Sequence, residues 1–191
     1  MKKSILAIVF AAMAVMLASC NGSNATASNE GKDSTENNFK IQRGTNVSHW
    51  LSQSEERGEA RKQHIQEDDF ARLDSLGFDF VRLPIDEVQM WDEQGNKIDE
   101  AWGLMHNAID CSMKHHLRVI VDLHIIRSHN FNAVNEGEDT NTLFTDDKAQ
   151  QQLIGMWEQL SDSLGCYSCD SVAYEFMNEP VAKEHAQWNQ L

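Results

Sequence analysis

Positive charge is scarce in this chain: 16 lysines and arginines stand against 30 aspartates and glutamates, for a formal net charge of -14. Nucleic-acid binding requires clustered cations that neutralise backbone phosphates, so the balance argues against that partner and for a neutral or cationic one. Long apolar runs are lacking as well. The run from Ile5 to Leu17 falls short of the roughly 20 apolar residues of a membrane-spanning helix and has no cationic flank on its far side. Cysteines number four, and no second ligand pair stands near Cys166 and Cys169 to complete a zinc site. A G-x-G-x-x-G phosphate cradle is also missing after the first strand pattern, where the chain reads GTNVSHWLSQ, so a dinucleotide or other phosphate cofactor is unsupported. No cofactor and no metal are expected.

What is present begins with a leader. Lys2 and Lys3, the apolar run and then Leu17-Ala18-Ser19-Cys20 compose a secretory signal. Its end resembles the bacterial lipobox, in which the cysteine becomes the lipidated first residue of the mature protein. Residues 1–19 then read as a signal peptide, with Cys20 anchoring the exported protein in the bacterial envelope, at the outer membrane or cell surface. Residues 20–38 hold almost nothing that packs and read as a flexible tether. Export places Cys111, Cys166 and Cys169 in a disulfide-permissive compartment. There, Cys166 and Cys169 are close enough in sequence to form a local disulfide, and Cys111 is expected to pack within a helix.

The remaining residues, 39–191, carry the globular part, and 41% hydrophobic content is enough to bury the core of one domain. From Ile41 onward, short apolar strands alternate with amphipathic helices, the pattern of a parallel sheet covered by helices. The strands are IQRGTNV, FDFVRLP, LRVIVDLH and VAYEFMNEP. The continuous run Val119-Ile120-Val121 predicts a strand buried on both faces. A helix is expected over 64–76, with Glu67, Asp68 and Asp69 near its positive end and Gly77 as its stop. A second follows Asp99 as N-cap and buries Ala101, Met105, Ala108, Ile109 and Ser112. A third begins after Thr145 with Asp146-Asp147 and repeats Leu153, Met156, Trp157, Leu160 and Leu164 until Gly165, and a fourth starts within AKEHAQWNQL. Each strand-helix unit uses about 35 to 55 residues, which fits a (β/α)8 TIM barrel of about 250 residues with its first four units present. A flavodoxin-like open sheet is the structural alternative.

Each strand pattern closes on polar residues: Asn46 and His49, Arg82, Asp122 and His124, then Asn178 and Glu179. In a barrel these ends form one rim, where catalytic groups gather. RGTNVSHWL, GFDFVRLPID, VIVDLH, HNFN, TLF and YEFMNEP, in this order, resemble glycoside hydrolase family 5, the cellulase family of retaining barrel enzymes. The resemblance implies Glu179 as general acid/base and Asn178 as the amide that binds the sugar 2-hydroxyl. It also implies Arg82 as the cation beneath the nucleophile and His124 as a substrate-subsite residue. A buried Arg82 needs a carboxylate partner in any case. His129, Asn130 and Phe131 fall in a loop of about twenty residues, longer than usual connections and therefore a candidate for function. Trp50, Trp91 and Phe131 are candidates to stack on sugar rings. His106, His115 and His116 lie on or beside the second helix, away from the rim, and make no metal site.

The same resemblance places the family's nucleophile on the seventh strand, whereas four strands are visible here. The expectation is therefore an N-terminal half barrel from a lipid-anchored endo-β-1,4-glucanase, acting on β-linked polysaccharide or oligosaccharide. The fragment by itself is expected to lack the nucleophile and to be inactive. The rival expectation is a non-catalytic glycan-binding lipoprotein or the inactive product of a truncated gene.

Overall fold

A computed structural model describes residues 38–135 and 141–191. The expected signal peptide, Cys20 and the expected tether up to residue 37 lie outside these described residues, as do positions 136–140.

Four strands, β1 (Gly44–Asn46), β2 (Phe80–Asp86), β3 (Arg118–Ile125) and β4 (Val172–Glu175), form one sheet in the order β1-β2-β3-β4. Each neighbouring pair is parallel. A doubly wound sheet reverses its strand order at a switch point, whereas these strands are added in one direction, as in a barrel wall. Seven helices accompany them among the described residues: α1 (Gly58–His64), α2 (Glu67–Ser75), α3 (Glu87–Met90), α4 (Asp99–Lys114), α5 (Phe131–Asn135), α6 (Asp147–Leu164) and α7 (His185–Asn189).

The helix expected over 64–76 is in fact two, because the chain turns extended at Ile65 and Gln66 between α1 and α2. Gln66 and Asp69 then cap α2 reciprocally, each side chain accepting from the other's backbone N–H. Gly77, at φ 78°, ends it. Its N–H donates to the Asp74 carbonyl at 2.8 Å, and that of Phe78 to the Leu73 carbonyl at 3.1 Å, the paired bonds of a left-handed C-terminal cap. In α4 the five expected face residues, Ala101, Met105, Ala108, Ile109 and Ser112, are all buried. Asp99 is the first helical residue and Ile98 takes the cap position, so the acid serves the helix through its charge near the N-terminus. In α6, Asp146 accepts from the Lys148 N–H as N-cap, and Leu153, Met156, Leu160 and Leu164 are buried. The short α1, α3 and α5 escaped the sequence pattern because pieces of this length hold too few turns to show a period.

Side chains alternate across the sheet. Val81, Leu83, Val119, Val121, Leu123 and Val172 are buried on one face, while Phe80, Arg82, Ile120, Ala173 and Glu175 on the other are only half-buried. The expectation that Ile120 is buried on a strand enclosed on both sides is thus corrected: its face carries the polar site and stays partly solvated. Cys111 is buried in α4, whereas Cys166 and Cys169 are free and exposed, so the local disulfide is not formed.

Candidate active site

The parallel register sets Arg82 beside Ile120 and Ala173, and Asp122 beside Pro84 and Glu175. Arg82, Asp122 and Glu175 therefore share one face of the sheet, one step apart along it. Arg82 donates from Nε and Nη2 to the two oxygens of Glu175, each at 2.6 Å, in the two-pronged geometry that suits a guanidinium. Its Nη2 also meets Asp122 Oδ2 at 2.9 Å and Asn178 Oδ1 at 3.0 Å, and Nη1 reaches Asn46 Oδ1 at 3.4 Å. One cation thereby gathers side chains from all four strands. The Glu175 hydrogen bonds, followed by the charges of Asp122, Glu175 and Glu179, hold Arg82 more firmly protonated than an ordinary arginine, against the opposing effect of burial.

His124 stands between two partners. Its Nδ1 lies 2.6 Å from Asp122 Oδ2 and its Nε2 lies 2.8 Å from the Gln53 side-chain nitrogen. The carboxylate accepts from Nδ1–H and the Gln53 amide donates to Nε2, which fixes one neutral tautomer. Phe131 packs edge-on against the His124 ring at 5.2 Å. Asp122 is fully buried, and that burial outweighs Arg82 and His124 to push its carboxyl above the usual range. Asp86 is raised by burial too, even though it accepts from Ser52 Oγ and the Gln53 N–H, both at 2.7 Å. Those two bonds clamp the loop after β1, including Gln53 at φ 52°, onto the end of β2.

Strand β4 stops at Glu175, earlier than the YEFMNEP pattern predicts, but the Asn178 N–H still donates to the Leu123 carbonyl at 3.2 Å, keeping the segment alongside β3. Asn178 is buried, and its Nδ2 has no partner among the described residues. Glu179 is exposed at φ 39°, and its carbonyl accepts from His129 Nε2 at 3.0 Å. His129 is itself buried and set edge-on against Phe144 at 5.7 Å. Asp122 Oδ1 and His129 Nδ1 are likewise buried without a partner among the described residues. An amide N–H group and two ring or carboxyl atoms at this rim are thus left without partners among the described residues, and orphaned buried polar groups cost free energy.

Of the residues singled out in the sequence, Arg82 meets Asn178 directly and His124 through Asp122, while His129 meets the Glu179 carbonyl. Trp50 lies apart from these contacts. It is 1% exposed and donates its indole N–H to the Arg61 carbonyl at 2.7 Å, so its ring is core rather than a platform for sugar. Trp91, also 1% exposed, packs edge-on against Trp102. His49 is exposed and meets only the Gln53 carbonyl, at 3.3 Å, among its described hydrogen bonds. Two participants went unrecognised in the sequence, Glu175 and Gln53. The period-two alternation of β4 places Glu175 on the Arg82 face once the register is known, whereas nothing in SHWLSQ marks Gln53. Three of the other histidines pair away from this face: His106 with Tyr167 and Ser163, His115 with Glu67 and His116 with Asp74.

A family model for cellulase, glycosyl hydrolase family 5, matches residues 32–191. Cellodextrinase A of Ruminococcus flavefaciens is 26% identical over 152 residues, taking in 79% of this chain and 44% of that protein. Endoglucanase C of Acetivibrio thermocellus is 27% identical over 154 residues, covering 78% of this chain and 43% of that protein. Among solved structures, a hyperthermophilic endo-β-1,4-glucanase in complex with substrate superposes with a TM-score of 0.62 at 23% identity, over 82% of this chain and 46% of that one. The chain spans less than half the length of these relatives. Its four strand-helix units form part of a (β/α)8 barrel.

Proposed function

The chain belongs to the cellulase family, glycosyl hydrolase family 5, and on that premise we propose that it carries the acid/base side of a retaining endo-β-1,4-glucanase site. The observation that carries this reading is the 3.0 Å hydrogen bond from Arg82 Nη2 to Asn178 Oδ1, which ties β2 to the segment holding Glu179. Because Arg82 claims the amide oxygen, the unpartnered Asn178 Nδ2 is left to donate to a sugar hydroxyl. Such a bond strengthens as positive charge develops on the sugar ring. Glu179, exposed beside it, protonates the departing glycosidic oxygen and then takes the proton from the incoming water. The β-1,4-glucan substrate class is supported by the activities for which the curated relatives are named.

A retaining mechanism needs a second carboxylate about 5 to 5.5 Å from the first. The carboxylates at this rim have other duties: Asp86 holds Ser52 and Gln53, Asp122 holds His124 and Arg82, and Glu175 is gripped by Arg82. The reading therefore takes the nucleophile from outside the described residues, and these residues alone are inactive in it. The leader supports export and a lipid anchor at Cys20 in the bacterial envelope.

The same saturation of Arg82 by Glu175 and Asp122 favours a second reading, a glycan-binding protein without catalysis. Cellotetraose decides between the two once these residues are joined to the strands that supply the nucleophile. Hydrolysis with retention at the anomeric carbon, abolished by Glu179→Gln, supports the enzyme, whereas binding that survives Glu179→Gln with no cleavage by the wild type supports the binding protein.

A further inference from the structure

The conformation of Glu179 is one that its own sequence opposes. A residue before proline is driven toward extended backbone by the proline ring, yet Glu179 precedes Pro180 and has φ 39°. A left-handed glutamate is also disfavoured by its own Cβ. Tertiary contacts must impose this geometry, and a direct one falls on the Glu179–Pro180 peptide itself: His129 Nε2 at 3.0 Å from the Glu179 carbonyl oxygen.

His129 is well placed to hold that peptide still. Its backbone pairs with Ile126 in both directions, at 3.0 and 3.1 Å, so it is fastened to the end of β3. Its ring is buried and braced by Phe144. A carbonyl oxygen only accepts, so the hydrogen bond requires the proton on Nε2. Nδ1 is then a bare lone pair, and it has no hydrogen-bond partner among the described residues. Burial lowers the affinity of the ring for a second proton, which keeps this single tautomer.

We infer that His129 is a positioning residue, whose Nε2–H holds the Glu179 carbonyl and so fixes the left-handed turn that aims the Glu179 carboxyl at the glycosidic oxygen. The aim depends on Glu179 acting as the general acid, as proposed above; the turn itself does not. Asn178, one residue earlier, is held independently by Arg82 and by the Leu123 carbonyl, so loss of the His129 bond frees the acid while leaving the sugar-binding amide in place.

The test compares two variants of the full chain with similar side-chain length, His129→Gln, which keeps an N–H donor, and His129→Met, which does not. With cellotetraose, whose leaving group needs a proton, His129→Met should lower kcat/KM by on the order of 100-fold, within the range of general-acid effects. With 2,4-dinitrophenyl cellobioside, whose leaving group departs unprotonated, the loss should stay under about 3-fold, and His129→Gln should recover most of the cellotetraose rate. Equal losses on both substrates overturn the inference. Should the wild type cleave neither substrate, as the proposed function expects of these residues without a nucleophile, the Glu179 Cα and Cβ chemical shifts decide independently of the hydrolase reading: a move to extended values in His129→Met supports the pinning and unchanged shifts overturn it. Should His129→Met fail to fold, nitrogen-15 spectra of the wild type decide, because a proton on Nδ1 with Nε2 bare contradicts the proposed bond.

Discussion

Arg82 and Glu175 form a closed fork, with Nε and Nη2 of the one meeting both carboxylate oxygens of the other at 2.6 Å. The pair joins β2 to β4 across β3, and the strand between them contributes Asp122, fully buried, as a second anion on the same guanidinium. A cation shared by two carboxylates cannot be removed without leaving a buried charge behind. Arg82→Met should therefore destabilise the fold by about 3 kcal/mol, because Asp122 is stranded. Glu175→Gln should cost about 1 kcal/mol, since that side chain is partly solvated and Asp122 remains to balance Arg82. Urea denaturation at neutral pH measures both, and equal costs would refute this division of roles.

The buried His129 ring makes stability depend on pH in a definite sense. Its folded pKa lies below its ordinary value because burial disfavours the charged form. The unfolded chain takes up a proton at about 6.5 that the folded ring refuses. Stability is then complete above about 6.5 and falls as the pH drops from there toward the lowered folded value. His129→Gln, which cannot titrate, should lose less stability than the wild type between about pH 7 and 5. Parallel pH curves for the two proteins would contradict this.

Gly44 opens β1 against Phe80, and a Cβ built there would come within 2.3–2.4 Å of three carbons of the Phe80 ring. Gly44→Ala should cost about 1–3 kcal/mol through overpacking at the first strand pair. Phe80→Leu in the same chain should recover part of that loss, which a double-mutant cycle by thermal unfolding would register as coupling between the two sites. Additive effects would mean that the ring moves aside freely.

Trp50 tests the separation of core from site. Trp50→Phe removes the donor to the buried Arg61 carbonyl and should destabilise by about 1–3 kcal/mol. Affinity for cello-oligosaccharide, measured by calorimetry on the folded protein, should stay unchanged. A large loss of affinity with intact stability would return Trp50 to the sugar-binding surface.

Periodicity carried α4 and α6 directly, because an amphipathic helix writes its buried face into the sequence as Met105, Ala108 and Ile109 or Leu153, Met156 and Leu160. Strand ends were readable in part for a related reason, since an apolar run that stops near His124 marks the end of β3, whereas Arg82 lies inside β2 and β4 ends at Glu175, before Asn178-Glu179. Trp50 misled because an aromatic residue beside a rim motif reads alike whether its ring is exposed or buried, and only its 1% exposure separates the two. Gln53 was invisible, since its role depends on a loop folded back by Asp86, which stands 33 positions later in the chain.

The sequence by itself determined the alternation of strands and helices, the order of the rim residues and the family, all of which follow from local pattern and short motifs. Tertiary structure alone decided which groups touch: that Arg82 grips Glu175, that Gln53 reaches His124, and that His129 holds the backbone of Glu179. The physical reason is register. Parallel strands bring together residues far apart in the chain according to how the strands are aligned, and no local pattern of side chains records that alignment.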